Sequence, residues 1–233
     1  MKTQINICPI CNYHGIFKDL KNNITGDRLK CICPQCGSAE RHRLQFLVIK
    51  ELFGSSEKVN VGNILHFAPE KSIGSFLNKI CCEYKTADLF QQGVDLKLNL
   101  ERIELEDESY DLIYASHVLE HVQHDTQALK EIRRVLTKNG IAILPVPIVC
   151  EETIEYPKPN PAEHLHWRAP GIDYFDKYKS VFSKIKIYDS EDFDDCYQTF
   201  VCEDRSIWPN EVSQYRMPMK GERHLDYVPI CYK

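Results

Sequence analysis

The chain has 233 residues, a formal net charge of −5, 43% hydrophobic residues and 27% charged residues. That size and mixture suit one large packed core with a small appendage and exclude a fibrous or wholly disordered chain. No apolar run approaches the roughly 20 residues needed to span a bilayer, and the acidic balance argues against bulk nucleic-acid binding. The first residues lack the apolar core of a signal peptide, so a cytoplasmic protein is expected. The charge is uneven, however: the first 58 residues hold nine Lys/Arg against five Asp/Glu.

Four of the eleven cysteines sit in two CPxC units, Cys8-Pro9-Ile10-Cys11 and Cys33-Pro34-Gln35-Cys36, with 21 residues between them. A CxxC turn aims two thiolates at one centre, and two such turns complete a tetrahedral set for Zn2+. Without an export signal this pattern favours metal over disulfides. Cys31 and His14 are spare donors close by. With all four positions filled by protein the zinc would be structural, and a module this small would depend on it. Short strands over Tyr13–Phe17 and Leu29–Ile32 would make residues 1–40 a zinc ribbon.

Ser38 is placed to cap a helix from Arg41 to Phe53, with Leu44, Leu47, Val48 and Leu52 along one face. Gly54-Ser55-Ser56 ends it, so residues 41–58 read as a linking helix. Arg41, His42 and Arg43 at this junction could clamp a phosphate or carboxylate, or could serve only as a salt bridge between the domains.

From residue 59 strands and helices alternate. Gly62–Ala68 and Tyr84–Leu89 read as strands, and Asp95–Leu100 leads by a polar approach to a strand at Asp111–Ser116. Leu112 to Ala115 run apolar without alternation, which suits a strand covered on both faces. Asp125 is a good N-cap for a helix carrying Ala128, Leu129, Ile132, Val135 and Leu136 at helical spacing and ending at Asn139-Gly140. Another apolar run, Ile141–Val149, follows at once. Strand, crossover helix, strand implies a parallel sheet. Ligands of such sheets lie beyond the C-terminal strand ends, which directs attention to Ser116-His117-Val118-Leu119-Glu120-His121. The proline-rich stretch from Tyr156 to Pro161 should be irregular and could form a lid or acceptor wall. A helix over Tyr174–Phe182, a strand over Ser183–Tyr188 and a last strand at Leu225–Tyr232 complete the reading. The interval Asp189–Glu222 is acidic, then rich in breakers, and carries no assignable role.

The stretch SYDLIYASHVLEHVQHDTQALKEIRRVLTKNGIAIL resembles the fourth-strand segment of class I S-adenosylmethionine-dependent methyltransferases. CPQCGSAERHRL resembles a bacterial subgroup of that family in which a zinc ribbon precedes the catalytic domain. The resemblance implies a seven-stranded, mostly parallel Rossmann-like α/β sheet over residues 59–233 with its last strand antiparallel. It also implies S-adenosylmethionine as cofactor. Where most members carry an acid and then G-x-G-x-G, this chain reads His66, Phe67, Ala68, Pro69, Glu70, Lys71, Ser72. The loop is thus either reshaped, with Phe67, Ala68 and Glu70 as contacts, or has lost the cofactor. The resemblance further puts Asp88 at the ribose hydroxyls, Asn99 and Leu100 at the adenine, and Ser116 and His117 near the transferred methyl group. Asp88 as a plain turn residue is the alternative. His117 or His121 could act as base for a hydroxyl acceptor, or His121 could serve only to position the cofactor.

The phrase Glu163-His164-Leu165-His166-Trp167-Arg168, followed by Asp173-Tyr174, resembles a motif of the same subgroup. It makes His164 a second base candidate, while Trp167 could stack on a ring. A packed loop is the alternative. The subgroup's association with glycan enzymes points to O-methylation of a glycan, sugar nucleotide or other small acceptor. Competing readings are an rRNA or tRNA base methyltransferase, and a non-catalytic binding protein that kept the fold.

Overall fold

The structure is a computed structural model that describes residues 5–21, 26–54, 60–204, 206 and 223–233. Its centre is a sheet of seven strands: β1 (Asn63–Phe67), β2 (Glu83–Asp88), β3 (Leu96–Lys97), β4 (Tyr110–Ala115), β5 (Leu136–Ile143), β6 (Lys184–Asp189) and β7 (Tyr227–Tyr232). Their order across the sheet is β6-β7-β5-β4-β1-β2-β3. The contacts among β1 to β5 are parallel, and β7 runs antiparallel to both of its neighbours. The α/β methyltransferase-type sheet expected from the sequence is therefore present.

Helices cover both faces, which explains the unbroken apolar run of β4. On one face Ile64, Leu112 and Tyr114 pack with α1 (Glu40–Phe53) and α2 (Lys71–Leu77) through Leu44, Val48, Ile49, Ile73 and Leu77. On the other, Leu65, Phe67, Ile113 and Ala115 pack with α3 (Asp125–Val135) and α4 (Tyr174–Val181). Leu112, Ile113 and Tyr114 are fully buried, and a large apolar side chain so placed contributes about 1.5–3 kcal/mol.

Several boundaries differ from the sequence reading. Helix α3 stops at Val135, four residues before Asn139, because Leu136 turns into the sheet and pairs with Tyr110. Asp125 is the first residue of α3 and not its cap, a position taken by His124. Its carboxylate turns inward to Tyr174 Oη at 2.8 Å, Lys177 Nζ at 2.7 Å and Arg168 Nε at 3.2 Å. The proline-rich stretch is also not irregular. Ile154–Asn160 pairs antiparallel with His166–Ala169, but the ladder is interrupted between Glu155 and Asn160. Pro157 and Pro159 fall in that interruption, where no ladder N–H is required.

The N-terminal module has two small antiparallel pairs, Asn6–Ile7 with His14–Gly15 and Lys18–Leu20 with Arg28–Ile32. Helix α1 joins this module to the sheet. Gln45 on α1 accepts from Tyr114 Oη and donates to Ser116 Oγ. Arg43, fully buried, points to the other side. It donates to the carbonyls of Cys31 and Ser38 at 2.8 Å, Tyr197 at 2.9 Å and Gln198 at 2.7 Å. The described part of the segment after β6, which carried no role in sequence, thus closes over the N-terminal module. The rest of that interval, residues 205 and 207–222, lies outside the described residues.

Candidate functional site

Cys8, Cys11, Cys33 and Cys36 converge, with all four sulfurs within 4.8 Å of one another. Cys8 to Cys36 and Cys11 to Cys33 are each 3.6 Å. Sulfurs of a tetrahedral zinc site with 2.3 Å bonds lie about 3.8 Å apart, so the cluster could hold a structural zinc. The two knuckles share one backbone device. Asn12 N–H donates to Cys8 O and Gly37 N–H to Cys33 O. Asn12 and Gly37 both take positive φ, at 59° and 74°. Cys31 stays outside the cluster with its Sγ on Arg28 O, and His14 is exposed. Ser38 lies against the sulfurs of Cys8 and Cys36 rather than capping α1. The cap is Ala39, whose N–H is taken by His42 Nδ1 at 2.9 Å.

A cavity of about 360 Å³ opens beyond the C-terminal end of β4. His117, His121 and His164, the three histidines singled out in sequence, all line it, together with Glu120 and His166. The turn bearing the first of these is tightly held. His117 takes a left-handed φ of 54° and donates its N–H to Pro145 O. Leu119–His121 forms a 3-10 turn, and buried Arg168 holds it and the two residues after it by donating to Leu119 O at 2.9 Å, Val122 O at 2.6 Å and Gln123 O at 2.9 Å. The hairpin brings His166 edge-on to His121, with ring centres 4.6 Å apart, and His164 to 6.2 Å from His166. Arg168 and His166 were quoted in sequence without a role. The alternation of His166 and Arg168 on one side of a strand was the signal, hidden by the prolines preceding it.

Burial works to raise the Glu120 pKa, but the His117 hydrogen bond and nearby His166 outweigh it and leave Glu120 below the usual carboxylate range. Burial pushes His166 down to about 4, against the pull of Glu120. At neutral pH the cavity wall therefore offers a carboxylate beside a neutral imidazole.

At the ends of β1 to β4 lie the other predicted residues, outside this cavity except for His117. Ala68 takes φ 47°, a conformation normally left to glycine, and its N–H donates to Ala87 O. Glu70 Oε1 accepts from Arg41 at 2.7 Å and His42 Nε2 at 2.8 Å, while Oε2 is buried without a hydrogen-bond partner. Arg41 and His42 thus bridge between the modules, and Arg43 is spent on carbonyls. Asp88 Oδ1 caps the turn after β2 by accepting from Phe90 N–H at 2.6 Å and Gln91 N–H at 2.7 Å. Beside it Leu89 and Phe90 are exposed by 46% and 83%. Asn99 is exposed, with its Oδ1 on Glu101 N–H. Phe67, Leu100 and Ser116 are buried at 2%, 5% and 5% exposure.

Burial works to raise the Glu70 pKa, but His42 and Arg41 hold it down at about 2. A carboxyl depressed below its unfolded value of about 4.3 contributes stability that is present above that pH and lost as pH falls through the folded value. Wild type should therefore lose denaturant resistance more steeply than Glu70→Gln between pH 4.5 and pH 2. Equal slopes for the two would show that the contact adds nothing.

A family model described as a methyltransferase domain matches residues 76–144, from the end of α2 through β5. No curated protein sequence matches. Among solved structures, a SAM-dependent methyltransferase of Thermotoga maritima is 18% identical over 82% of this chain and 89% of that one, with a TM-score of 0.52. Phosphoethanolamine N-methyltransferase 2 of Haemonchus contortus, solved with S-adenosylhomocysteine, is 12% identical over 81% of this chain and 52% of that one, with a TM-score of 0.51. The fold is the one seen in S-adenosylmethionine-dependent methyltransferases, and the segment 76–144 matches a methyltransferase domain. Among the described residues no helix is long and apolar enough to cross a membrane.

Proposed function

We propose that the protein is an S-adenosylmethionine-dependent methyltransferase that methylates an oxygen of a glycan, sugar nucleotide or other small acceptor. In this reading residues 1–40 are a zinc ribbon on Cys8, Cys11, Cys33 and Cys36, residues 41–58 a linking helix, and residues 59–233 the catalytic domain. The observation that carries the function is the position of the histidine-lined cavity. It opens at the C-terminal edge of a methyltransferase-type sheet, where ligands of such sheets bind, and it has the volume for a small polar molecule.

The residues at the strand ends fit the cofactor. Ala68 keeps a glycine-like backbone where the glycines are missing, and the orphaned Glu70 Oε2 is a ready acceptor for an ammonium. Asp88 would hold the ribose hydroxyls through the oxygen that does not cap its own turn. The exposed apolar pair Leu89 and Phe90 gives the adenosine a surface to cover. Asn99 would accept from the adenine amino group, with Leu100, Phe67 and Ser116 forming the floor. When bound, S-adenosylmethionine supplies a methyl group activated by a sulfonium. The protein then has to hold the acceptor in line and take its proton. His117, His121 and His164 line the cavity and are the candidates for that role.

A second reading, a non-catalytic binding protein on the same fold, draws on Glu70 Oε1 being already engaged by Arg41 and His42. Calorimetric titration with S-adenosylmethionine and S-adenosylhomocysteine separates the two. The informative variant is Asp88→Asn, because the amide oxygen can still cap Phe90 and Gln91 while the charge is lost. Loss of a charge-assisted hydrogen bond is worth about 1.5–3 kcal/mol, so affinity should fall roughly 10- to 100-fold. No binding by wild type would favour the non-catalytic reading.

A further inference from the structure

We infer that Glu120, His121 and His166 form a second metal site, for a divalent transition-metal cation, on the wall of the cavity. One ligand atom from each lies within 4.8 Å of the others. Donors bound to one ion at about 2.0–2.2 Å sit roughly 3–4 Å apart, so a small movement of His121, which is exposed, closes the set. The decisive atom is Glu120 Oε2. Glu120 is 1% exposed, its Oε1 lies 3.5 Å from His117 Nδ1, and its Oε2 is buried with no hydrogen-bond partner. A buried carboxylate oxygen without a donor is costly, and a cation beside it removes that cost.

The donor chemistry selects the ion. Two imidazoles and one carboxylate suit Zn2+, Mn2+ or Fe2+, whereas Mg2+ and Ca2+ prefer oxygen alone. The scaffold is rigid enough for the purpose. Glu120 and His121 sit on the 3-10 turn gripped by Arg168, and His166 sits two residues before that arginine in the same hairpin strand. Three protein donors leave coordination positions open toward the cavity, as in metal sites that bind a substrate. Taken with the methyltransferase reading, on which this step rests, the acceptor class narrows to molecules offering two neighbouring oxygens, such as a vicinal diol or a hydroxy acid. These would chelate the ion and be oriented by it.

The test uses the full chain with its cysteine-held metal in place, dialysed free of loosely bound ions and titrated with Co2+. One further equivalent should bind, with visible d–d absorption and without thiolate-to-cobalt charge-transfer bands. His121→Ala and Glu120→Gln should each weaken that binding at least 10-fold while circular dichroism stays unchanged. Should Glu120→Gln misfold, His121→Ala, at an exposed position, carries the test alone. Absence of a further equivalent, thiolate bands, or unchanged affinity in His121→Ala would overturn the inference. The titration needs no S-adenosylmethionine, so the two readings fail separately. Metal bound without cofactor affinity sinks only the methyltransferase reading, and cofactor affinity without metal sinks only this one.

Discussion

Converting Cys8 and Cys36 to Ser together is expected to unfold the N-terminal module. Structural zinc in small modules contributes an apparent 10–16 kcal/mol or so, as much as the roughly 5–15 kcal/mol that holds a whole domain together. The module has little else to rely on: its own buried cluster is Cys8, Phe17 and Cys33. Treatment of wild type with an organomercurial should release about one zinc per chain, and the double variant should release none. The damage should spread. Two of the carbonyls that Arg43 holds, those of Cys31 and Ser38, belong to this module, and Arg28 and Arg41 line the cavity. A zinc-free wild type with a normal near-ultraviolet circular dichroism spectrum would refute the assignment.

Arg43→Met should be the most damaging single substitution at the junction. The guanidinium is fully buried, and no acid supplies its hydrogen bonds: backbone carbonyls from three separate segments do. Its charge centre also lies 4.3 Å over the Phe17 ring. Methionine matches much of the volume but takes the guanidinium donors away from four carbonyls, of which Ser38 O still has the Cys33 N–H. Unsatisfied buried groups cost about 1–3 kcal/mol each, and such losses are not additive, so we expect a total of about 3–5 kcal/mol. Arg43→Lys should recover only part of it, because a single ammonium cannot reach carbonyls on both sides of a planar fork. A denaturant midpoint within error of wild type for Arg43→Met would contradict this account.

The sheet was legible because its signals are local. The apolar run at Leu112–Ala115 and the periodicity from Ala128 to Val135 each need only their own neighbours to be read. The CPxC pairs were equally plain. What stayed hidden was long-range. Nothing near Arg43 announces that its partners include Tyr197 and Gln198, more than 150 residues away. Asp125 has every local mark of a cap, yet Arg168 and Lys177 draw its carboxylate into the core. The hairpin at Ile154–Ala169 was obscured by prolines, although the ladder skips the positions they occupy. The histidines of the cavity could be nominated from HVLEH and its later companion phrase. That His166 joins Glu120 and His121 depends on the hairpin register, which no short pattern encodes.

The turn at Ala68 has a thermodynamic side. A glycine-rich loop is free in the absence of ligand and surrenders that freedom when a ligand orders it. Here an alanine holds a left-handed φ of 47°, at a steric cost of about 1–2 kcal/mol, and is locked by its N–H on Ala87 O. The entropy of fixing the loop is therefore charged to folding and not to binding. A ligand arriving there meets a surface already in its final shape. Association would show a smaller unfavourable entropy than a flexible loop imposes, and the same rigidity would leave the loop less able to adapt to a ligand of another shape.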